Sequence, residues 1–192
     1  MTAATFLPSH GFADEVAFSR LSLSEQCANA FRAWFGDSKV VNAQGQPLVV
    51  YHGTASDFSV FDDSMGRGGF FFTDDLKAAQ EYANSAFGEG PRVIAAYLAI
   101  RNPLVLDKSW FLENAIADGE TDWSAIDTVV FDAEAKGHDG VILRTCPDYD
   151  GIVDGVRVER DYDQFIAFSP EQIKSASLNS GFFDPSNPDI YA

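Results

Sequence analysis

Apolar side chains recur three or four residues apart near the start of the chain, at Ala28, Phe31, Trp34 and Phe35. This spacing is typical of an amphipathic helix. We expect the helix to be capped by Ser24 and to end near Gly36. Residues 1–21 show no such period, and we interpret them as an irregular arm that precedes one domain over residues 22–192.

Short apolar runs between turn residues predict the strands, at residues 47–51, 70–73, 92–100, 104–106, 140–144 and 164–168. Further helices are predicted over residues 76–86, 108–117 and 123–136. We expect an acidic loop over residues 146–163 and a coil tail over residues 179–192. Strands outnumber helices and do not alternate with them as regular βαβ units, so the pattern favours the α+β class.

Charge and cysteine content narrow the function. The net charge is −16, and no stripe of lysine and arginine is visible, which argues against general nucleic-acid binding. The same acidity favours solubility over adhesion to an anionic membrane. The two cysteines and three histidines are dispersed, so we expect no metal site. Because we see no signal segment and no apolar run of 18 residues, we expect a cytoplasmic protein, or one delivered into a host cytoplasm without a cleavable signal.

Three segments are candidates for chemistry. His52 ends a predicted strand, and Gly53 and Thr54 follow it where a backbone can approach a ligand closely, although a lone histidine is more often structural. The aromatic strand at residues 70–73 and Tyr82 could clamp a flat ring, or simply fill the core. The third segment is a strand with a polar residue at its start, Gln164, and nothing in it alone demands catalysis.

The order and spacing of the three segments resemble the H-Y-E class of ADP-ribosyltransferases, which includes diphtheria toxin and the poly(ADP-ribose) polymerases. Gly69, Phe71 and Phe72, with Tyr82 eleven residues after Phe71, match a Gly-x-Tyr-Phe strand and its following tyrosine. The strand over residues 163–168 matches Asn-Glu-Tyr-Ile-Val-Tyr, with Gln164 at the glutamate. Residues 31–41, 173–176 and 183–190 are similar to the ADP-ribosyltransferase domains of phage and prophage polyvalent proteins, and the whole resemblance spans residues 28–191.

The resemblance implies a fold of two packed, mostly antiparallel sheets with flanking helices around an NAD-binding cleft. It implies NAD⁺ as co-substrate, with His52 on a ribose hydroxyl, the Gly53 backbone on the nicotinamide carboxamide, and Thr54 supporting the adjacent turn or ribose. The implied catalytic residues are His52, Phe71, Tyr82 and Gln164, and the implied cofactor-binding residues are His52, Gly53, Thr54, Phe71, Phe72 and Tyr82. Phe71 and Tyr82 would hold the nicotinamide ring between them.

Three positions depart from that pattern. Phe71 lacks the hydroxyl of the family's tyrosine, and Ala79 stands where the polymerases have a serine. Gln164 keeps the shape of the glutamate but not its negative charge, so NAD⁺ binding should survive better than turnover. Acidic residues before the strand could supply a charge, but we favour Gln164 itself as the residue aimed at the site; these acidic residues are Glu159, Asp161 and Asp163.

We therefore expect a mono-ADP-ribosyltransferase that acts on a macromolecule, most simply a protein, as a phage or bacterial effector or toxin. We expect it to be a monomer. The alternative is a catalytically silent NAD-binding or protein-interaction module of the same fold. Gln164 fits a slow natural enzyme, a natural pseudoenzyme, or a substitution that silences the activity, and one sequence leaves the three open.

Overall fold

A computed structural model of the chain describes residues 22–63, 67–117, 120–153 and 156–192, with the backbone alone described at residues 117, 120, 148–153 and 156–159. The expected arm at residues 1–21 lies outside these ranges. Within the described ranges, no helix is long and apolar enough to cross a membrane, and no group of three or more histidine, cysteine or acidic side chains could hold a metal ion.

The described residues form four α-helices: α1 (Leu23–Phe35), α2 (Leu76–Ser85), α3 (Lys108–Asn114) and α4 (Trp123–Ala135). Each begins after a polar residue whose side chain accepts a hydrogen bond from a backbone N–H of the first turn. The expected cap of α1 at Ser24 is wrong by two residues. Ser22 is the cap, because it forms a reciprocal capping box with Glu25.

Nine strands complete the domain: β1 (Val50–Thr54), β2 (Phe70–Thr73), β3 (Arg92–Leu98), β4 (Leu104–Leu106), β5 (Ile116–Ala117), β6 (Glu120–Thr121), β7 (Gly140–Val153), β8 (Val156–Ala167) and β9 (Ile173–Ser175). Seven of them form one sheet in the order β4-β7-β8-β2-β1-β3-β9, and β5 and β6 form a small hairpin. All pairs are antiparallel except β4 with β7.

The α+β class and the mostly antiparallel pairing are thereby confirmed. The strands do not divide into two separate large sheets, because β2 pairs with β1 on one side and with β8 on the other and so joins both halves. Several boundaries also differ from the sequence expectation. The first strand begins at Val50 instead of residue 47, and α3 ends at Asn114 because Ile116 starts β5.

The expected acidic loop over residues 146–163 is mostly strand. β7 and β8 pair along nearly their whole length, from Gly140 opposite Ala167 to Val153 opposite Val156. β-branched residues occur on both sides of residues 154–155, and these favour extended backbone in spite of the acidic residues among them. The acidic composition led to the wrong expectation of a loop. Charged residues do not exclude a strand, because an antiparallel sheet can have one face exposed to water.

Successive side chains of a strand point to opposite faces of the sheet, and each face carries its own core. Face A carries Phe70, Phe72 and Phe165, which pack with residues outside the sheet such as Phe61 and Ile190. Face B carries Val141, Leu143 and Ile166, which pack against helices α3 and α4 through Phe111, Ile126 and Val130. Helix α2 also lies on face B, over β1.

The tail over residues 179–192 forms no helix or long strand, as expected, and it is pinned to the domain. Asp189 bridges to Val60, and the ammonium Nζ of Lys174 donates to the backbone oxygens of Asn187 at 2.7 Å and Asp189 at 2.8 Å. Lys174 is completely buried. It lies in β9, a strand that the sequence pattern did not predict.

Candidate active site

The candidate site lies on face B, where β2 and β8 form a floor between helices α2 and α4. Thr73 of β2 is directly opposite Gln164 of β8, and Phe71 is directly opposite Ile166. Residues that face each other across an antiparallel pair share one side of the sheet. Phe71, Thr73 and Gln164 are therefore brought together on face B, beside the core cluster that contains Ile166.

Gln164 is nearly buried as a residue, with 7% of its surface exposed. Within the described residues its side-chain amide makes no hydrogen bond, and its polar atoms are not cut off from solvent. A glutamine amide offers two N–H donors and a carbonyl acceptor. The amide of Gln164 is thus available to a ligand on face B.

Gly53 is shaped by helix packing. A Cβ atom added there would lie 2.1 Å from the carbonyl oxygen of Ala79 and 3.0 Å from the backbone nitrogen of Ala83. Only glycine therefore lets α2 rest directly on β1. The sequence suggested close approach of a ligand at Gly53, and the structure shows close approach of a helix.

Helix α2 presents Tyr82 to solvent. Ala79 and Ala83 are buried against the sheet, whereas Tyr82 is 62% exposed. Within the described part of the chain, the rings of Tyr82 and Phe71 do not contact each other, so a sandwich between them requires an inserted ring. Thr54 supports a turn, because its Oγ1 accepts a hydrogen bond from the backbone of Ser56 at 3.2 Å.

Phe71 contacts two residues that the sequence argument missed. The guanidinium carbon of Arg67 lies 4.2 Å from the centroid of the Phe71 ring. The Trp123 ring packs edge-on against Phe71, with 6.4 Å between the two ring centroids. Arg67 in turn donates from Nε and Nη2 to Oδ1 of Asp127, at 3.0 and 2.8 Å. In the sequence, Arg67 is visible only as an arginine in a glycine-rich run, and Trp123 and Asp127 only as an i, i+4 pair on a predicted helix. Neither feature predicts a contact with Phe71.

His52 lies on the opposite face from Phe71 and Gln164. Its ring packs among Phe58, Phe61 and Phe72, with the nearest centroid at 5.0 Å. Phe72 is buried in the face A core, where it supports His52. The structure therefore places two of the expected site residues, His52 and Phe72, away from the face that carries the others.

Burial lowers the pKa of His52, and the hydrogen bond of its Nδ1 with the carbonyl oxygen of Phe71, at 2.8 Å, partly opposes this shift. Because a carbonyl only accepts, Nδ1 carries the proton. The neutral imidazole then keeps Nε2 as an acceptor. A hydroxyl group can donate a hydrogen bond to a nitrogen in this protonation state. The hydrogen bond of Nδ1 also joins the ring of His52 to the strand that carries Phe71.

The neighbouring carboxylates are already paired. Asp161 contacts Lys108 at 2.6 Å, and Asp163 pairs with Arg144 and accepts from the backbone of Thr145 at 2.8 Å. Alternation along β8 turns Asp163 away from the face on which Gln164 lies. The side chain of Glu159 lies outside the described residues. Neither described carboxylate is therefore free to replace the charge that Gln164 lacks.

The fold and this arrangement of residues define an α+β domain with a polar, ring-bordered site on one face of its sheet. The chain belongs to the family described as ADP-ribosyltransferase in polyvalent proteins, whose model matches residues 42–183. The matched span covers all nine strands and helices α2 to α4. No curated protein matches the chain. The family assignment makes this an ADP-ribosyl-transferring domain, and NAD⁺ is the co-substrate of ADP-ribosyltransferases.

Proposed function

We propose that this domain binds NAD⁺ on face B between α2 and α4, cleaves the bond between nicotinamide and ribose, and transfers a single ADP-ribose unit to a macromolecule. The observation that carries the proposal is the side-chain amide of Gln164. The residue is nearly buried, its amide has no partner within the described residues, and by resemblance it matches the glutamate of the family pattern.

In this reaction the bond between C1′ of the ribose and N1 of nicotinamide breaks, and nicotinamide leaves with the bonding electrons. Positive charge grows on the ribose until a nucleophile of the acceptor bonds to C1′ and gives up its proton. Gln164 accepts the hydrogen bond of the ribose 2′-hydroxyl through its amide oxygen. Its contribution is smaller than a glutamate's, because charge-assisted hydrogen bonds are about twice as strong as neutral ones.

The remaining residues act by binding and orientation. Tyr82 offers an exposed ring to the nicotinamide, and Phe71 bounds the site from the sheet. Gly53 provides backbone groups for the carboxamide, and Thr54 braces the following turn. His52 acts from the opposite face: its neutral ring bonds the carbonyl oxygen of Phe71 through Nδ1 and so holds the strand that carries Phe71.

The acceptor in this proposal is a protein, in a cytoplasm reached by a phage or bacterial effector. The net charge of −16 supports a basic protein surface over a nucleic-acid phosphate backbone as the partner. Elongation of ADP-ribose chains depends, in the related polymerases, on the glutamate that this chain lacks. Transfer of one unit is therefore the favoured outcome.

The test compares the chain with its Gln164→Glu variant. Release of nicotinamide from NAD⁺ measures cleavage, and labelled NAD⁺ added to a bacterial lysate measures transfer. We expect slow cleavage by the natural chain and faster cleavage, with labelled protein, by the variant. The proposal fails if both proteins leave NAD⁺ intact and no component of the lysate carries label.

A second function, an NAD⁺-binding module without turnover, is favoured by the missing charge at Gln164. Calorimetric titration with NAD⁺ distinguishes the two. Binding without nicotinamide release in either protein supports the module, whereas release by the Gln164→Glu variant supports the enzyme.

A further inference from the structure

Arg67 stands beside the candidate site with its guanidinium held on three sides. Its central carbon lies 4.2 Å from the centroid of the Phe71 ring and 5.0 Å from that of Trp123. Oδ1 of Asp127 accepts from both Nε and Nη2. The side chain nevertheless remains 28% exposed, so solvent and a ligand can reach it.

The backbone around Arg67 is fixed as well. The carboxylate of Asp63 accepts the N–H of Arg67 at 3.0 Å and the N–H of Gly68 at 3.1 Å. A Cβ atom at Gly68 would lie 2.9 Å from the ring of Phe131, so Gly68 rests closely on helix α4. Trp123, Asp127 and Phe131 recur every four residues and form the stripe of α4 that contacts Arg67 and Gly68.

This guanidinium still has hydrogen-bonding capacity. An arginine side chain carries five N–H donors, and two of them are donated to Asp127. Within the described part of the chain, the other three have no acceptor. An arginine held by a carboxylate and two rings, with donors left over, is arranged to bind an anion with little loss of side-chain entropy.

Each described cation near the strands of the site has a carboxylate partner, Arg67 included, so their positions distinguish them. Arg160 contacts both Asp75 and Glu81, which are on or next to helix α2. Lys108 contacts Asp161. Arg144 pairs with Asp163, and alternation along β7 and β8 places that pair away from Gln164. Arg67 is thus the cation that borders Phe71 on face B.

We propose that Arg67 binds the diphosphate of the dinucleotide. This inference rests on the proposed function, since it assigns the charged part of the same substrate. A dinucleotide diphosphate carries two negative charges, and a protein with a net charge of −16 repels it unless a local cation compensates. The planar guanidinium fork matches phosphate oxygens in geometry as well as charge.

The alternative role for Arg67 is to block the Phe71 ring against a nicotinamide. That role requires the guanidinium to leave Phe71 when ligand binds. Its departure would also leave the carboxylate of Asp127, which is only partly exposed, without its partner, which is unfavourable. The pairing with Asp127 therefore favours an arginine that stays in place and binds the anion.

The test is calorimetric titration of the full chain with ADP-ribose and, separately, with nicotinamide. It uses the natural chain, Arg67→Gln and Arg67→Lys. Arg101→Gln serves as a matched loss of charge, because Arg101 pairs with Asp37 and the backbone of Trp34 far from the site. We expect Arg67→Gln to weaken ADP-ribose binding by about 10- to 100-fold, the range for hydrogen bonds to a charged group.

Arg67→Lys keeps the positive charge but not the planar set of guanidinium donors. Its affinity for ADP-ribose should therefore lie between those of the natural chain and Arg67→Gln. Nicotinamide binding should be unchanged in both variants, and Arg101→Gln should behave as the natural chain. Raising the salt concentration should weaken ADP-ribose binding less in Arg67→Gln than in the natural chain. Thermal melting of each variant shows whether it is folded. If Arg67→Gln is not folded, the comparison of Arg67→Lys with the natural chain still tests the inference.

Two results overturn the inference. One is equal affinity for ADP-ribose with and without the arginine. The other is tighter nicotinamide binding by Arg67→Gln, which identifies the guanidinium as a block on Phe71. If the natural chain binds neither NAD⁺ nor ADP-ribose, the proposed function falls together with this inference. Binding by the natural chain that is insensitive to Arg67 overturns the inference alone.

Discussion

Thr73 and Gln164 lie directly opposite each other on β2 and β8, and both are nearly buried on face B. This pairing places Gln164 opposite the last residue of β2. That residue, Thr73, is two positions after Phe71 in the same strand. A glutamate at the same position would place a carboxyl group at a nearly buried residue, which matters for the first prediction.

Replacing Gln164 by glutamate should raise the rate of NAD⁺ cleavage by about 10²- to 10³-fold, the usual effect of one preorganised electrostatic contact. NAD⁺ affinity should change little, because shape and the hydrogen bond are kept. Burial should raise the pKa of the new carboxyl, so the gain should grow as the pH rises through the range in which that group ionises. Nicotinamide release measured between pH 5 and 8 follows both effects.

The matched control is Gln80→Glu, which adds the same charge at an exposed position of helix α2. It should leave cleavage at the level of the natural chain. Equal acceleration by both variants would show that added charge acts generally, and would contradict the assignment of Gln164 to the reacting ribose.

Tyr82→Ala should weaken NAD⁺ binding by about 3- to 10-fold, the equivalent of one aromatic stacking contact. Because Tyr82 is mostly exposed, the melting temperature should stay within about 2 °C of the natural value, as is usual for surface substitutions. Phe87→Ala removes another, fully exposed ring five residues later and is the control. If both variants bind NAD⁺ as tightly as the natural chain, Tyr82 is not a stacking residue.

Local patterns predicted the elements that form the floor and the flanking helices of the site. The strand at residues 70–73, the start of helix α2 at Leu76 and the start of α4 at Trp123 all agree with the structure. Their signals are short range: an apolar run, an aspartate cap, and a spacing of three or four residues. The order of the strands depends on pairing between distant segments, and no local signal carries it.

The contacts of Arg67 and the position of His52 could not be predicted in this way. Arg67 meets Trp123 and Asp127 across about 60 residues of sequence, so only the folded chain brings them together. His52 was expected beside Phe71, and it does bond to the backbone of that residue. Alternation along β1, however, turns its ring to face A, a consequence of strand register that the motif alone does not reveal.

His52 should make the fold less stable at acidic pH. Burial lowers its pKa in the folded state below that of the unfolded chain, so the unfolded chain binds the proton more readily. The stabilising effect is complete above the ordinary histidine pKa of about 6.5 and is lost as the pH falls below it. Chemical denaturation of the natural chain and of His52→Gln, at steps from pH 7.5 to 5, should show a smaller pH effect in the variant.

His138→Gln is the control for that measurement, because His138 is only partly buried and its ring bonds the backbone oxygen of Asn102 outside any cluster of aromatic rings. It should reproduce the pH dependence of the natural chain. An identical pH profile for His52→Gln and the natural chain would mean that His52 titrates alike in both states, contrary to its burial among three phenylalanine rings.

Gly53→Ala should disrupt both the fold and the site, because the added methyl group would meet the backbone of α2 at 2.1 Å. Backbone cannot move aside as a flexible side chain does, so we expect a loss of about 3 kcal/mol in the free energy of unfolding, the upper part of the range for overpacking. Relief of the clash must shift α2 and, with it, Tyr82, so NAD⁺ binding should weaken further than in Tyr82→Ala. Gly45→Ala is the comparison: it has open space around it and a φ of 73°, and should cost about 1 kcal/mol through backbone strain alone. Denaturant unfolding and calorimetry measure the two quantities, and a Gly53→Ala protein as stable as Gly45→Ala would contradict the close seating of α2 on β1.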